Sequence, residues 1–158
     1  MQKISPFIWF DSNAEEAINF YLPIFKNSKV IRSTRNPPGA PGPVGEFLVA
    51  TIQLEGQEIT LMNGGPGHPL TEAISLTINC SSQEEVDHYW YKLLEGGGKE
   101  IACGWLKDKF GLFWQVTPIM LPELLSDSDS AKAGRVMQAM MKMIKLDIAA
   151  LKAAANAK

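Results

Sequence analysis

The sequence predicts an α+β fold built from two copies of a strand–helix–strands module, followed by a helical tail. Three observations predict it. Strand-like and helix-like patterns alternate in a repeated order, separated by Gly- and Pro-rich loops. Under one constant offset Glu15–Glu16 overlay Glu84–Glu85, Ala17 overlays Val86, and Phe20–Tyr21 overlay Tyr89–Trp90, each pair early in a capped amphipathic segment. Beyond Pro122 the chain is rich in Ala, Lys, Met and Leu with an apolar stripe at helical spacing.

Each element has a local reason. ISPFIWF, residues 4–10, reads as a strand with a proline near its start. SNAEEAINFYLPIF follows: Ser12 or Asn13 caps a helix, Glu15 and Glu16 suit the positive end of its dipole, and Ala17, Phe20, Tyr21 and Ile24 form its apolar stripe. Pro23 ends or kinks that helix, because its ring removes an N–H and crowds the preceding turn. Residues 28–35 read as a strand, and NPPGAPGPVG, with four prolines and three glycines, as a loop. EFLVATIQLEGQEITLMN is a hairpin turning at Glu55–Gly56. After the GGPGHP loop, residues 73–80 alternate as a strand. SSQEEVDHYWYKLLEGGG is a helix capped at Ser81 or Ser82 and stopped by Gly96–Gly98. Two short strands are expected around Lys99–Trp105 and Leu112–Thr117, then a long helical tail whose stripe holds Val136, Met137, Met140, Met141, Ile144, Ile148 and Leu151. That stripe must cover its own sheet or a partner.

Composition narrows the function classes. Charged residues make up 20%, the net charge is −2, and Lys and Arg are dispersed, so there is no electrostatic case for nucleic acid. No apolar run approaches the ~20 residues that span a bilayer, so no membrane association is expected. The N-terminus enters a strand pattern directly without a signal-peptide core, and Cys80 and Cys103 are read as reduced thiols of a cytoplasmic protein.

FIWFDSNAEEAINFY, LMNGGP, QEEVDHYW and CGWLKDKFGLFWQVTP together resemble the vicinal oxygen chelate superfamily (glyoxalase, bleomycin resistance and extradiol dioxygenase proteins). More closely, they are similar to its PhnB-like branch, which often carries the description 3-demethylubiquinone-9 3-methyltransferase domain. The resemblance covers nearly the whole chain, AMMKMIKLDIAAL included. It implies two βαβββ modules, about 1–66 and 70–120, whose mixed sheets curve around a pocket, a C-terminal helical extension over 121–158, and a homodimer.

The superfamily's metal enzymes hold their ion on the first and last strands of each module. Carried over by the strand–helix spacing, those positions fall on Pro6 and Ser75, on Gln115, and on Thr60 or Met62. Period-2 alternation then puts Pro6, Ile8 and Phe10 on one pocket-facing side, and Ser75, Thr77 and Asn79 likewise, with Phe7, Trp9, Leu76 and Ile78 toward the helices. Proline has no donor atom, and serine, glutamine and methionine are poor substitutes for imidazole and carboxylate. The expectation is therefore no metal and no cofactor.

Among other candidates, Gln115 is either a hydrogen-bonding pocket residue or a tie between strands. Trp105 can stack on a ligand or pack, while Trp114 is expected in the core. Cys103 is a nucleophile only if a base lowers its pKa; a small half-buried residue is the plainer reading. Asp108 suits a turn. NGGPGHP lacks the following helix that a phosphate loop needs, though Asn63 ends a strand that bears Thr60 and Met62 and is expected to face the pocket. The functional expectation is a small-molecule-binding protein without the usual metal centre. The alternatives are an isomerase, lyase or transferase using Gln115 or Cys103, and an interaction protein acting through its tail helix.

Overall fold

The computed structural model describes residues 2–157, and the chain divides between Leu70 and Thr71 into two compact units. The first contains β1 (Phe7–Phe10), α1 (Ala14–Tyr21), β2 (Ser28–Arg35), β3 (Phe47–Leu54) and β4 (Gln57–Asn63). Its sheet order is β1-β4-β3-β2, with β1 parallel to β4 and the other pairs antiparallel. The hairpin turns at Glu55 and Gly56, whose φ values of 45° and 88° are both left-handed, as a tight two-residue turn between twisted strands requires. Glu55 adopts this φ without being glycine. Its carboxylate accepts the Asn27 backbone N–H and side-chain Nδ2, which anchors the turn and holds its pKa below the ordinary value. Helix α1 stops at Tyr21, two residues before Pro23.

The core of this unit joins α1 (Ala14, Ala17, Ile18, Tyr21) to Ile8, Phe10, Ala50, Ile52, Ile59 and Leu61. This corrects the expected faces of β1. Ile8 and Phe10 point into the core at 8% and 4% exposure, while Phe7 is 60% exposed. The alternation is right and its phase is reversed. Three residues, Asp11–Asn13, link β1 to α1, but only Ser81 and Ser82 link the corresponding strand and helix of the second unit. Carrying positions over through the helices therefore misplaces β1 by one residue, and in a strand one residue exchanges the two faces.

The second unit contains β5 (Leu76–Cys80), α2 (Gln83–Leu94), β6 (Lys99–Glu100), β7 (Trp105–Lys107), β8 (Phe113–Pro118), α3 (Leu121–Leu125), α4 (Ser130–Met141) and α5 (Ile148–Asn156). The order β5-β8-β7-β6, with β5 parallel to β8, repeats the first unit. A capping box starts α2: Ser82 Oγ accepts the Glu85 N–H while Glu85 Oε2 accepts from the Ser81 N–H and Oγ. Ile78, Cys80, Leu106, Trp114 and Val116 face α2, where Val86, Trp90 and Leu93 are buried. The strand expected over 99–105 is interrupted. Cys103 and Gly104, at φ 56° and 82°, turn the chain between β6 and β7.

The tail is helical but is not one rod. It forms α3, α4 and α5, broken at Lys142–Asp147 because Asp147 caps a new helix by accepting the Ala150 N–H. Folding back lets Leu121, Val136, Leu146, Leu151 and Ala155 close a small core of their own. The expected stripe is accordingly split: Val136 and Leu151 are buried, while Met137, Met141 and Ile144 remain exposed. The connector is tied to the rest of the unit. Cys103 and Gly104 donate their N–H groups to the Met143 and Ile144 carbonyls at 2.9 and 2.8 Å, and Lys145 bonds Asp87 on α2.

Candidate functional site

In the second unit the sheet face away from α2 gathers four of the expected residues. Register places Thr77, Gln115 and Trp105 side by side on β5, β8 and β7. Gln115 Nε2 donates to Ser75 Oγ at 2.9 Å, so two positions 40 residues apart in sequence meet directly. Both are half-buried, and Thr77 is exposed beside them. The Gln115 Oε1 receives no donor among the described residues, and the Ser75 hydroxyl keeps its own hydrogen to give. The pair thus offers one acceptor and one donor at neutral charge. Trp105, half-buried, supplies a flat apolar surface in the same row.

In the first unit the face away from α1 carries Phe7, Thr60 and Thr51 in one row and Trp9, Met62 and Val49 in the next. The Thr51 and Thr60 hydroxyls bond each other at 2.9 Å. Trp9 is held by its indole N–H on the Gly65 carbonyl at 2.8 Å, and its ring lies where any side chain at Gly64 would collide, 2.2 Å from an added Cβ. The His68 ring leans on it at 4.6 Å. Phe7, Trp9 and Thr51 were missed from sequence. Thr51 was within reach, because a two-residue turn at Glu55–Gly56 pairs position 51 with 60. Phe7 and Trp9 were lost to the phase error.

Several expected residues have other roles. Asn63 lies on the α1 side, where its Oδ1 accepts the Ala14 N–H at 2.8 Å and its Nδ2 donates to the Phe47 carbonyl; it caps α1 in place of Asn13. Pro6 accepts the Thr60 N–H through its carbonyl, and Ile8 and Phe10 are core. Asp108 is 2% exposed: Oδ1 accepts the N–H groups of Phe110 and Leu112, and Oδ2 accepts the Trp114 indole. That carboxylate closes the β7–β8 hairpin. Cys103 is half-buried and is fixed through its backbone to the tail. Burial, and then the nearby Glu85 charge, push the Cys80 thiol up to about 12.

Equivalent bonds fix the correspondence of the units. The Gly64 N–H meets the Phe10 carbonyl as the Ile119 N–H meets that of Cys80. Ser5, not Pro6, therefore matches Ser75, and Thr60 matches Gln115. In neither unit does a divalent metal fit the pair at these positions, Ser5 with Thr60 or Ser75 with Gln115, since each offers only neutral hydroxyl and amide oxygens. Among the described residues, no three His, Cys, Asp or Glu side chains group closely enough to hold one elsewhere. No described helix is long and apolar enough to cross a membrane.

The model of the family described as 3-demethylubiquinone-9 3-methyltransferase matches residues 2–117. Among solved structures, a PhnB protein from Bacillus cereus is 35% identical, with 74% of this chain and 99% of that one covered and a TM-score of 0.67. A protein from Pseudomonas aeruginosa is 18% identical over 75% and 98%, with a TM-score of 0.60. The fosfomycin resistance protein FosX from Listeria monocytogenes, solved with Mn(II) and sulfate, is 18% identical over 79% and 96%, at 0.52. The last two share the fold alone. No curated protein matches the chain.

Proposed function

The chain belongs to the 3-demethylubiquinone-9 3-methyltransferase family, with the vicinal oxygen chelate fold, and on that premise we propose that it binds a small organic molecule without a metal centre. The observation that carries this reading is the Gln115–Ser75 pair. At positions that the family resemblance assigns to metal ligands, this chain has a neutral donor–acceptor couple beside Trp105. Such a site recognises an uncharged polar group, one that both accepts from Ser75 and donates to Gln115 Oε1, attached to a flat apolar body. The chain acts as a homodimer in the cytoplasm.

The reading does not include methyl transfer from a nucleotide-like donor. The Gly64–Gly65 loop leads into β5, not into a helix whose N-terminal amides could cradle a nucleotide-like donor.

Native mass spectrometry of freshly purified protein, with elemental analysis of the same sample, tests the proposal. The expected result is a dimer carrying an organic mass without stoichiometric metal. A tightly held divalent ion at one per site overturns it. Where the ligand is recovered, Gln115→Ala should weaken it by about 5–30-fold, the loss of one to two hydrogen bonds, with an unchanged circular dichroism spectrum. Unchanged affinity removes Gln115 from the site.

A further inference from the structure

β2 is an edge strand of the first unit's sheet. Seven of its eight residues are exposed, and beyond the ladder to β3 the backbone of residues 29–34 makes no hydrogen bond among the described residues. Val30 and Ile31 lie 46% and 40% exposed along it. The segment from Lys26 to Arg35 holds four cations and no acid, in a chain whose net charge is −2. A bulge between Val30 and Arg32 lets residues three apart share a face: Lys29 lies opposite Gln53 and Arg32 opposite Thr51, both away from α1. Arg35 is neutralised by Glu15, but Lys29 and Arg32 form no ion pair among the described residues. At the N-terminal end of the strand, Lys26, Lys29 and Gln53 line a cleft of about 370 Å³.

We propose that β2 is a docking edge for an extended acidic segment of a partner protein, which adds to the sheet as a fifth strand. The unpaired backbone groups supply the ladder, Val30 and Ile31 supply apolar contact, and Lys29 and Arg32 read acidic side chains at alternate positions of the incoming strand. Charge selects the occupant. A second copy pairing through the same edge sets Lys29 and Arg32 against their own counterparts, an arrangement that like charges disfavour. Nucleic acid would use the cations and leave the backbone edge and the two apolar side chains without a role.

The test uses the full chain and a fluorescein-labelled ten-residue peptide of alternating Glu and Val, followed by anisotropy at low salt. Saturable binding is expected. It should fall by at least about tenfold when alternate peptide nitrogens are methylated, which removes the ladder donors. A Lys29→Glu/Arg32→Glu variant should lose a similar amount, because both charges now repel; these side chains are exposed, and circular dichroism checks the fold. No binding up to about 1 mM, equal binding of the methylated peptide, or displacement by inorganic phosphate or by an oligonucleotide at concentrations matching the acidic peptide each overturn the proposal. So does concentration-dependent dimerisation that the double charge reversal abolishes.

Discussion

At Asp108 three N–H groups converge on one buried carboxylate, so a side chain that looks available for proton transfer is occupied by the hairpin that contains it. Asp108→Ala leaves those donors buried and unmet. It should cost about 2–4 kcal/mol, read from urea unfolding followed by tryptophan fluorescence. Asp108→Asn keeps two of the bonds but can turn an amide N–H₂ toward the Trp114 indole N–H, and should fall between the two. The cysteines separate in the same way. In the folded state the Cys80 thiol stays protonated far above its ordinary 9.0, so the stability it confers is intact below about pH 9 and is lost as pH rises toward 12. A thiol reagent at neutral pH should label Cys103 first and reach Cys80 only at the rate of unfolding. Cys103→Ser protein that still reacts promptly would contradict that order. The turn role of Asp108 and the core place of Trp114 were legible in CGWLKDKFGLFWQV, but the convergence of three donors on Asp108 and the backbone tie of Cys103 to the tail were not, because they depend on register and on a distant segment.

Among the elements, the Lys142–Asp147 connector is where reading the sequence as one long helix failed. Lys, Met and Ile at these positions are compatible with a continuing helix, and the signal to stop is a single Asp147 whose capping role depends on where the chain must go next. The tie from Lys145 to Asp87 has a defined pH window. Its hydrogen bond to Lys145, and then that to Gln83, hold the Asp87 carboxyl below its ordinary pKa, while Asp87 raises that of Lys145. The contribution is present above the ordinary carboxylate range and fades as pH falls through the lowered Asp87 value. It fades again as pH rises through the raised Lys145 value. Both side chains are partly exposed, so Lys145→Ala should cost only about 0.5–1 kcal/mol. Its clearer readout is hydrogen exchange. The Cys103 and Gly104 amides, bonded to Met143 and Ile144, should exchange several-fold faster.

For the whole molecule, the class, the module repeat and the strand–helix order were legible because they rest on periodicity and turn chemistry, which act locally. That Gln115 and Ser75 belong to one site was legible through the family resemblance, and their direct side-chain bond was not. The tail's second core was not, because it depends on residues brought together by a reversal of direction: Leu121, Val136, Leu146, Leu151. Ending the chain after Met141 removes Leu146, Leu151 and Ala155, three of the five buried residues of that core. The shortened protein should bind a hydrophobic dye and lose cooperative unfolding in the second unit, whereas an unaltered thermal transition would mean the connector and α5 contribute nothing. The extra residue between β1 and α1 reaches further still. Strand and helix of the first unit are, in effect, written in a different reading frame from those of the second. A chimera spliced in helix frame would turn a pleated surface inside out, setting Phe7 and Trp9 where Ile8 and Phe10 belong. Spliced in strand frame, the same exchange keeps every side chain on its own side. A gap of one residue in Asp11–Asn13 is thus the difference between a transplant that folds and one that does not.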